Sequence, residues 1–169
     1  MTSLLEETFG RPVLNPLLRW LNPPPEWFVD SAARRLIVLP GPATDFWQRT
    51  HYGFSADNGH FLYTSVSGGF SLSARVFFQP RHQYDQAGLM VRFSEHCWLK
   101  TSVEYEPEGP SKLGVVVTNG GFSDWSLQDY PRGRDAVELR VTRAGADFIV
   151  DYRDTPASEW TMIRMAHLA

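Results

Sequence analysis

The chain has a single cysteine, Cys97, so no disulfide can close within it, and a reducing compartment is the simpler expectation. It has no run of eighteen apolar residues, so no helix of it is expected to span a membrane. Its opening residues, MTSLLEETFG, carry acids where a secretory signal needs a basic stretch, and no apolar core follows them. No Lys/Arg cluster reaches the density of a nucleic-acid footprint, and the formal net charge is −3. The five histidines show neither one- nor three-residue spacing, and Cys97 has no cysteine partner, so no metal site and no cofactor is expected. A nucleophile-elbow sequence is missing, and no helical pattern follows Gly120-Gly121 to make a phosphate loop. These absences point to a cytoplasmic protein with neither nucleic acid nor membrane as its partner.

What is abundant is aromatic. Phe, Trp and Tyr make up 14% of 169 residues, which favours strands, and the length suits one domain with a real core. Residues 1–15 read as a leader in which Leu4, Leu5 and Phe9 form a loose helical turn, ended by Gly10 and Pro12. Residues 16–169 read as one domain. Pro23–Pro25 force an extended path, flanked by Trp20, Trp27 and Phe28. These aromatics read first as pins for an arm, and second as a binding edge. RLIVL at 35–39 reads as a strand. Ala56-Asp57-Asn58-Gly59 predicts a reversal between FWQRTHYGF and HFLYTSV. Phe70, Leu72, Ala74, Val76 and Phe78 alternate as one face of a half-buried strand. AVELRVTRAG and ADFIVDYRD form a further hairpin, and EWTMIRMAHLA a last strand. About ten strands at such spacing predict a two-sheet sandwich or barrel.

The stretch from Tyr84 to Trp125 organises the rest. With a turn centred near Glu95, Arg92 faces Trp98, Met90 faces Lys100, Gly88 faces Ser102 and Gln86 faces Glu104. The opposite face holds Ala87, Leu89, Val91, Leu99, Thr101, Val103 and Tyr105, with Asp85 at the strand start, and belongs to the core. The Gln86–Arg92–Trp98–Lys100–Glu104 face is too polar for dry core. It is either the solvated side of a sandwich or a concave groove whose flat aromatic and hydrogen-bonding groups suit sugar rings. Trp47, His51 and Trp125 lie in similar polar, aromatic contexts.

The ordered motifs WLNPPPEW, TDFWQRTHYGF, YDQAGLMVR, WLKTSVEY and VVVTNGGFSDWS are similar to those of a family of uncharacterised bacterial and fungal proteins. That family takes its name from the fungal "regulation of enolase" protein, and its domain is one of unknown function. The resemblance covers roughly residues 16–167. It implies a concanavalin A-like lectin/glucanase fold, an antiparallel two-sheet jelly-roll sandwich with one concave face. It also implies one or two strands beyond the last one read here, so an open or otherwise filled sheet edge is expected.

For chemistry, Glu104 is the one carboxylate weighed as catalytic. Glu106 lies two residues on, roughly 6.5–7 Å along the strand, but Pro107 puts it at a turn. Asp85 is expected to satisfy backbone groups at the strand start. Ser123-Asp124-Trp125 reads as a bend in which Ser and Asp bond local amides and Trp packs. The expected ligand-binding set is Trp47, His51, Gln86, Arg92, Trp98, Lys100, Glu104 and Trp125. The favoured function is non-catalytic binding of a carbohydrate or small polyol. The alternative is a protein-interaction module or homo-oligomer without a small ligand, with a glycoside hydrolase or lyase ranked behind both.

Overall fold

The structure is a computed structural model that describes residues 3–169. It is all-β: every regular element among the described residues is a strand. The chain divides into two compact units, one of residues through Phe46 together with Ala56–Ser65, the other of Trp47–Ser55 with Val66–Ala169.

The first unit holds short strands. β1 (Arg19–Leu21) pairs antiparallel with β6 (Phe61–Tyr63), and β2 (Glu26–Asp30) with β3 (Arg35–Leu39). Trp20 and Trp27, on either side of the three prolines, pack with ring centroids 5.8 Å apart. His60 ties the unit's loops together. Its Nδ1 donates to the Asn22 carbonyl at 2.7 Å, and its Nε2 accepts the Gly41 amide at 2.9 Å. The helical turn expected at Leu4–Phe9 does not form. Glu7 instead accepts the amides of Phe9 and Asn15, which holds the segment in an irregular path. The arm is thus fixed by a carboxylate that periodicity does not reveal.

The reversal expected at 56–59 lies elsewhere. β4 (Phe46–Gln48) and β5 (Ser55–Asp57) are joined by residues 49–54. That loop is closed by the Arg49 amide to the Phe54 carbonyl and the Gly53 amide to the Arg49 carbonyl. Arg49 and His51 both adopt positive φ, at 58° and 62°. Histidine is enriched at positive φ but arginine is not, so the stronger Asn-Gly signal points to 56–59 instead.

The second unit is an antiparallel two-sheet sandwich. β7 (Phe70–Phe77), β12 (Ala136–Ala144), β13 (Asp147–Arg153) and β14 (Thr161–His167) form one sheet in the order β14-β13-β12-β7. β8 (Gln86–Ser94), β9 (Cys97–Glu104), β10 (Ser111–Asn119) and β11 (Phe122–Tyr130) form the other as a meander. Together with the six short strands these make fourteen among the described residues, against about ten expected, because three-residue strands carry no period to read. Leu99, Val115 and Val117 of the meander pack against Val141, Phe148 and Val150 of the other sheet, all buried. A second cluster of Val103, Leu113, Tyr130, Val137 and Leu139 continues the layer. Burying each such side chain stabilises the fold by about 1.5–3 kcal/mol. Of the alternating Phe70–Phe78 set, Phe70, Val76 and Phe78 pack on these clusters, while Leu72 stays partly exposed on an edge strand.

Candidate functional site

The β8–β9 register is the one expected. Met90 lies opposite Lys100, Gln86 opposite Glu104, Gly88 opposite Ser102 and Arg92 opposite Trp98. Apolar alternation fixes it, since a one-residue slip would turn Leu89, Val91, Leu99 and Val103 out of the core. Continued across β10 and β11, the register makes four rows on the outer face. They are Arg92–Trp98–Thr118–Ser123, Met90–Lys100–Val116–Trp125, Gly88–Ser102–Gly114–Leu127 and Gln86–Glu104–Lys112–Asp129. Side chains directly opposite in such pairs share a face, so Lys100 and Trp125 project on the same side.

Trp98 does not offer the stacking surface expected of it. Its exposure is 0%, and its Nε1 donates to the Glu95 carbonyl at 3.1 Å. The indole anchors the hairpin turn instead. Val116 and Thr118 on the same face are also buried. Part of the cover comes from the end of β4: the Gln48 amide donates to Ser123 Oγ at 2.9 Å, and Ser123 Oγ bonds Thr118 Oγ1 at 2.8 Å. Ser123 therefore bonds a residue far off in sequence, not a local amide. The bend expected at Ser123–Trp125 is a regular strand, part of the nine-pair β10–β11 ladder.

At the β11 side of the face lies an open cavity of about 540 Å³, lined by Trp47, Thr50, His51, Tyr52 and Phe122–Trp125. Trp47 is its buried floor. The Trp47 ring meets Trp125 edge-on at 6.4 Å and Tyr52 at 5.4 Å, and its Nε1 donates to the Thr50 carbonyl. The Trp125 indole can lie flat over β10 because Gly114 is beneath it; a Cβ there would come within 2.7 Å of Trp125 Nε1. His51 meets Tyr52 edge-on at 4.8 Å, and Tyr52 and Phe122 are more than half exposed. Arg49 stands over the Phe122 ring at 5.5 Å. Asp124 is largely exposed and pairs with Arg164 at 3.1 Å. The site thus offers aromatic faces and an imidazole, a combination suited to a ligand with apolar faces, while the Asp124 carboxylate is held by Arg164 of the other sheet and Ser123 Oγ is buried.

Of the eight residues expected to bind ligand, three line this cavity: Trp47, His51 and Trp125. Gln86 and Glu104 are at the other end of the face, where Gln86 Nε2 donates to Glu104 Oε2 at 3.3 Å and Ser102 Oγ donates to Gln86 Oε1 at 3.1 Å. Lys100 Nζ lies 6.0 Å from the Trp98 ring centroid, and Arg92 is paired across the hairpin from Trp98. Thr50, Tyr52, Phe122, Ser123 and Asp124 were not foreseen as site residues. The aromatic cluster QRTHYGF was the available signal for Tyr52; Ser123 and Asp124 stand out in the sequence only as part of an expected structural bend, since their partners are remote. Asp85 does what was expected of it, accepting the Arg81 and His82 amides at 2.8 and 2.9 Å. Burial raises its pKa, but these two amides and the neighbouring cations outweigh that and hold it below the ordinary value. Burial pushes the Cys97 thiol up, away from the reactive thiolate range. Among the described residues no three His, Cys, Asp or Glu side chains gather as metal ligands, and no helix is long and apolar enough to cross a membrane.

"Regulation of enolase protein 1" of Saccharomyces cerevisiae is 35% identical over 147 residues, which span 87% of this chain and 72% of that protein. The crystal structure of a functionally unknown protein from Saccharomyces cerevisiae superposes with a TM-score of 0.82 at 34% identity, covering 90% of this chain and 80% of that one. The GH43 BlXynB protein from Bacillus licheniformis superposes with a TM-score of 0.70 at 17% identity, over 96% of this chain and 30% of that one, a likeness of fold alone. The family described as "Protein of unknown function (DUF1349)" matches residues 20–169, and the chain belongs to it.

Proposed function

We propose that this chain is a non-catalytic carbohydrate- or small-polyol-binding protein whose ligand sits against Tyr52, Phe122 and Trp125. The observation that carries this is the open cavity of about 540 Å³, lined by the exposed rings of Tyr52 and Phe122, the half-buried Trp125 and the imidazole of His51. Sugar rings present C–H faces to such aromatics and hydroxyls to such polar edges. Trp98 has no part in the contact, because it is buried. Binding without turnover is favoured by the placement of the carboxylates. Glu104 is engaged with Gln86, and Glu106 accepts from Gln83 beyond the strand end. A glycan array of neutral oligosaccharides, followed by thermal shift with the best binders, tests the reading. Binding lost in Tyr52→Ala and Trp125→Ala supports it. Sugar release that Glu104→Gln abolishes would replace it with the hydrolase reading. The cytoplasm is the compartment that fits a chain whose single cysteine can form no internal disulfide.

A second reading is a regulatory protein-interaction module. It is favoured by the half-exposed apolar side chains of Trp27, Phe28, Val38 and Leu39 on one hairpin, and by the relative whose name concerns regulation of enolase. Loss of partner capture on Phe28→Ser, with glycan binding absent, would favour it.

A further inference from the structure

We infer that two copies of this chain pair through their β11 edges, antiparallel and centred on Ser126, making one continuous eight-stranded sheet.

The edge is unpaired among the described residues, and its only charged side chains are Asp124 and Asp129. β11 ends its sheet, and its nine residues pair with β10 without a register shift. Phe122–Tyr130 contains no proline, glycine or lysine, the residues that usually blunt an edge. The direction of its backbone groups is set. The Ser126 carbonyl oxygen points at β10, where it would stand 3.2 Å from a Cβ on Gly114. Alternation then turns the amides and carbonyls of Ser123, Trp125, Leu127 and Asp129 outward, away from β10. Among the described residues no strand pairs with them.

Outward groups can bond a second β11 only if outward residues meet outward residues. Centring on Ser126 satisfies that parity: Trp125 meets the partner's Leu127, and Ser123 meets the partner's Asp129. It also makes every cross-strand pair compatible. Trp125 and Leu127 form an apolar pair on the outer face, and Leu127 is about half exposed in the single chain. Asp124 falls opposite Gln128, Ser123 opposite Asp129, and Ser126 opposite itself. No two carboxylates stand directly opposite. Both acids of the strand are already neutralised within their own chain, Asp124 by Arg164 at 3.1 Å and Asp129 by Lys112 at 2.6 Å. A two-fold pairing of this kind uses the same surface on both copies and closes at two. It also brings the partner strand beside the Trp125 cavity, so each copy would border the other's site.

The test is site-specific crosslinking in a Cys97→Ser background. Ser126 faces its own counterpart as a non-hydrogen-bonded pair, with Cα atoms about 4.5 Å apart, which suits a disulfide. Leu127 is more exposed, but its counterpart is two residues out of step, beyond the roughly 7 Å limit for a bridge. Ser126→Cys should therefore form a covalent dimer under mild oxidation, and Leu127→Cys should not. The unmodified chain should sediment at twice 19.2 kDa at high micromolar concentration. Leu127→Pro, which removes one outward N–H and no β10 bond, should sediment as a monomer; Leu127→Lys should do the same if the proline variant misfolds. A monomeric unmodified chain, or crosslinking through Leu127→Cys as fast as through Ser126→Cys, overturns the inference.

Discussion

At the residue scale, Trp98 and Tyr52 divide the labour that the sequence had assigned to one tryptophan. Trp98 is fully buried and hydrogen-bonded to its own turn, so Trp98→Ala should cost about 3–5 kcal/mol in urea unfolding. Tyr52 is 56% exposed but packs on Trp47 and His51, so Tyr52→Ala should cost only about 1 kcal/mol while abolishing ligand binding. The contrast shows what alternation conveys. It put Trp98 on the right face, but it does not say whether a face is covered. The cover comes from residues 47–54, which hold positive-φ residues at Arg49, His51 and Gly53, and of these Arg49 has no sequence signature. Asp85 was legible because a carboxylate before a strand has few other roles.

At the scale of elements, the β8–β9 hairpin was the most legible part of the chain. Its two faces differ so sharply in polarity that a single register is tolerable. β11 was the least legible. Its Ser-Asp-Trp sequence suggests a bend, yet its neighbours impose a strand, with Ser123 held by Gln48 and Asp124 by Arg164. Gly114 is the device that lets Trp125 lie down. Gly114→Ala should displace the indole and weaken ligand binding more than it lowers stability, read as a rise in Kd against a small shift in Tm.

Tyr130, at the end of β11, links this strand to the other sheet. Its hydroxyl donates to the Ala136 carbonyl at 3.0 Å. Burial first, then the Asp154 charge, pushes its pKa up to about 12 from 10.0. An acid whose folded pKa is raised contributes stability that is whole below the unfolded value and is lost as pH rises. Stability should therefore fall by about 2–3 kcal/mol between roughly pH 10 and 12. Tyr130→Phe should flatten that limb in alkaline unfolding measurements.

At the scale of the molecule, the sandwich was readable because both sheets obey the same period-two pattern and meet in one apolar layer. The small strands of the first unit were not, since loops and single hydrogen bonds such as those of His60 hold them in place. The family places the fold; the cavity beside β11 carries the functional reading. Isothermal titration of the intact chain with the neutral oligosaccharide that leads the glycan array tests that reading most directly, run beside Tyr52→Ala and Lys112→Ala. The account predicts saturable binding that disappears in Tyr52→Ala and persists in Lys112→Ala, which lies at the far end of the same face. No binding by the intact chain, or binding that Tyr52→Ala leaves unchanged, would contradict it.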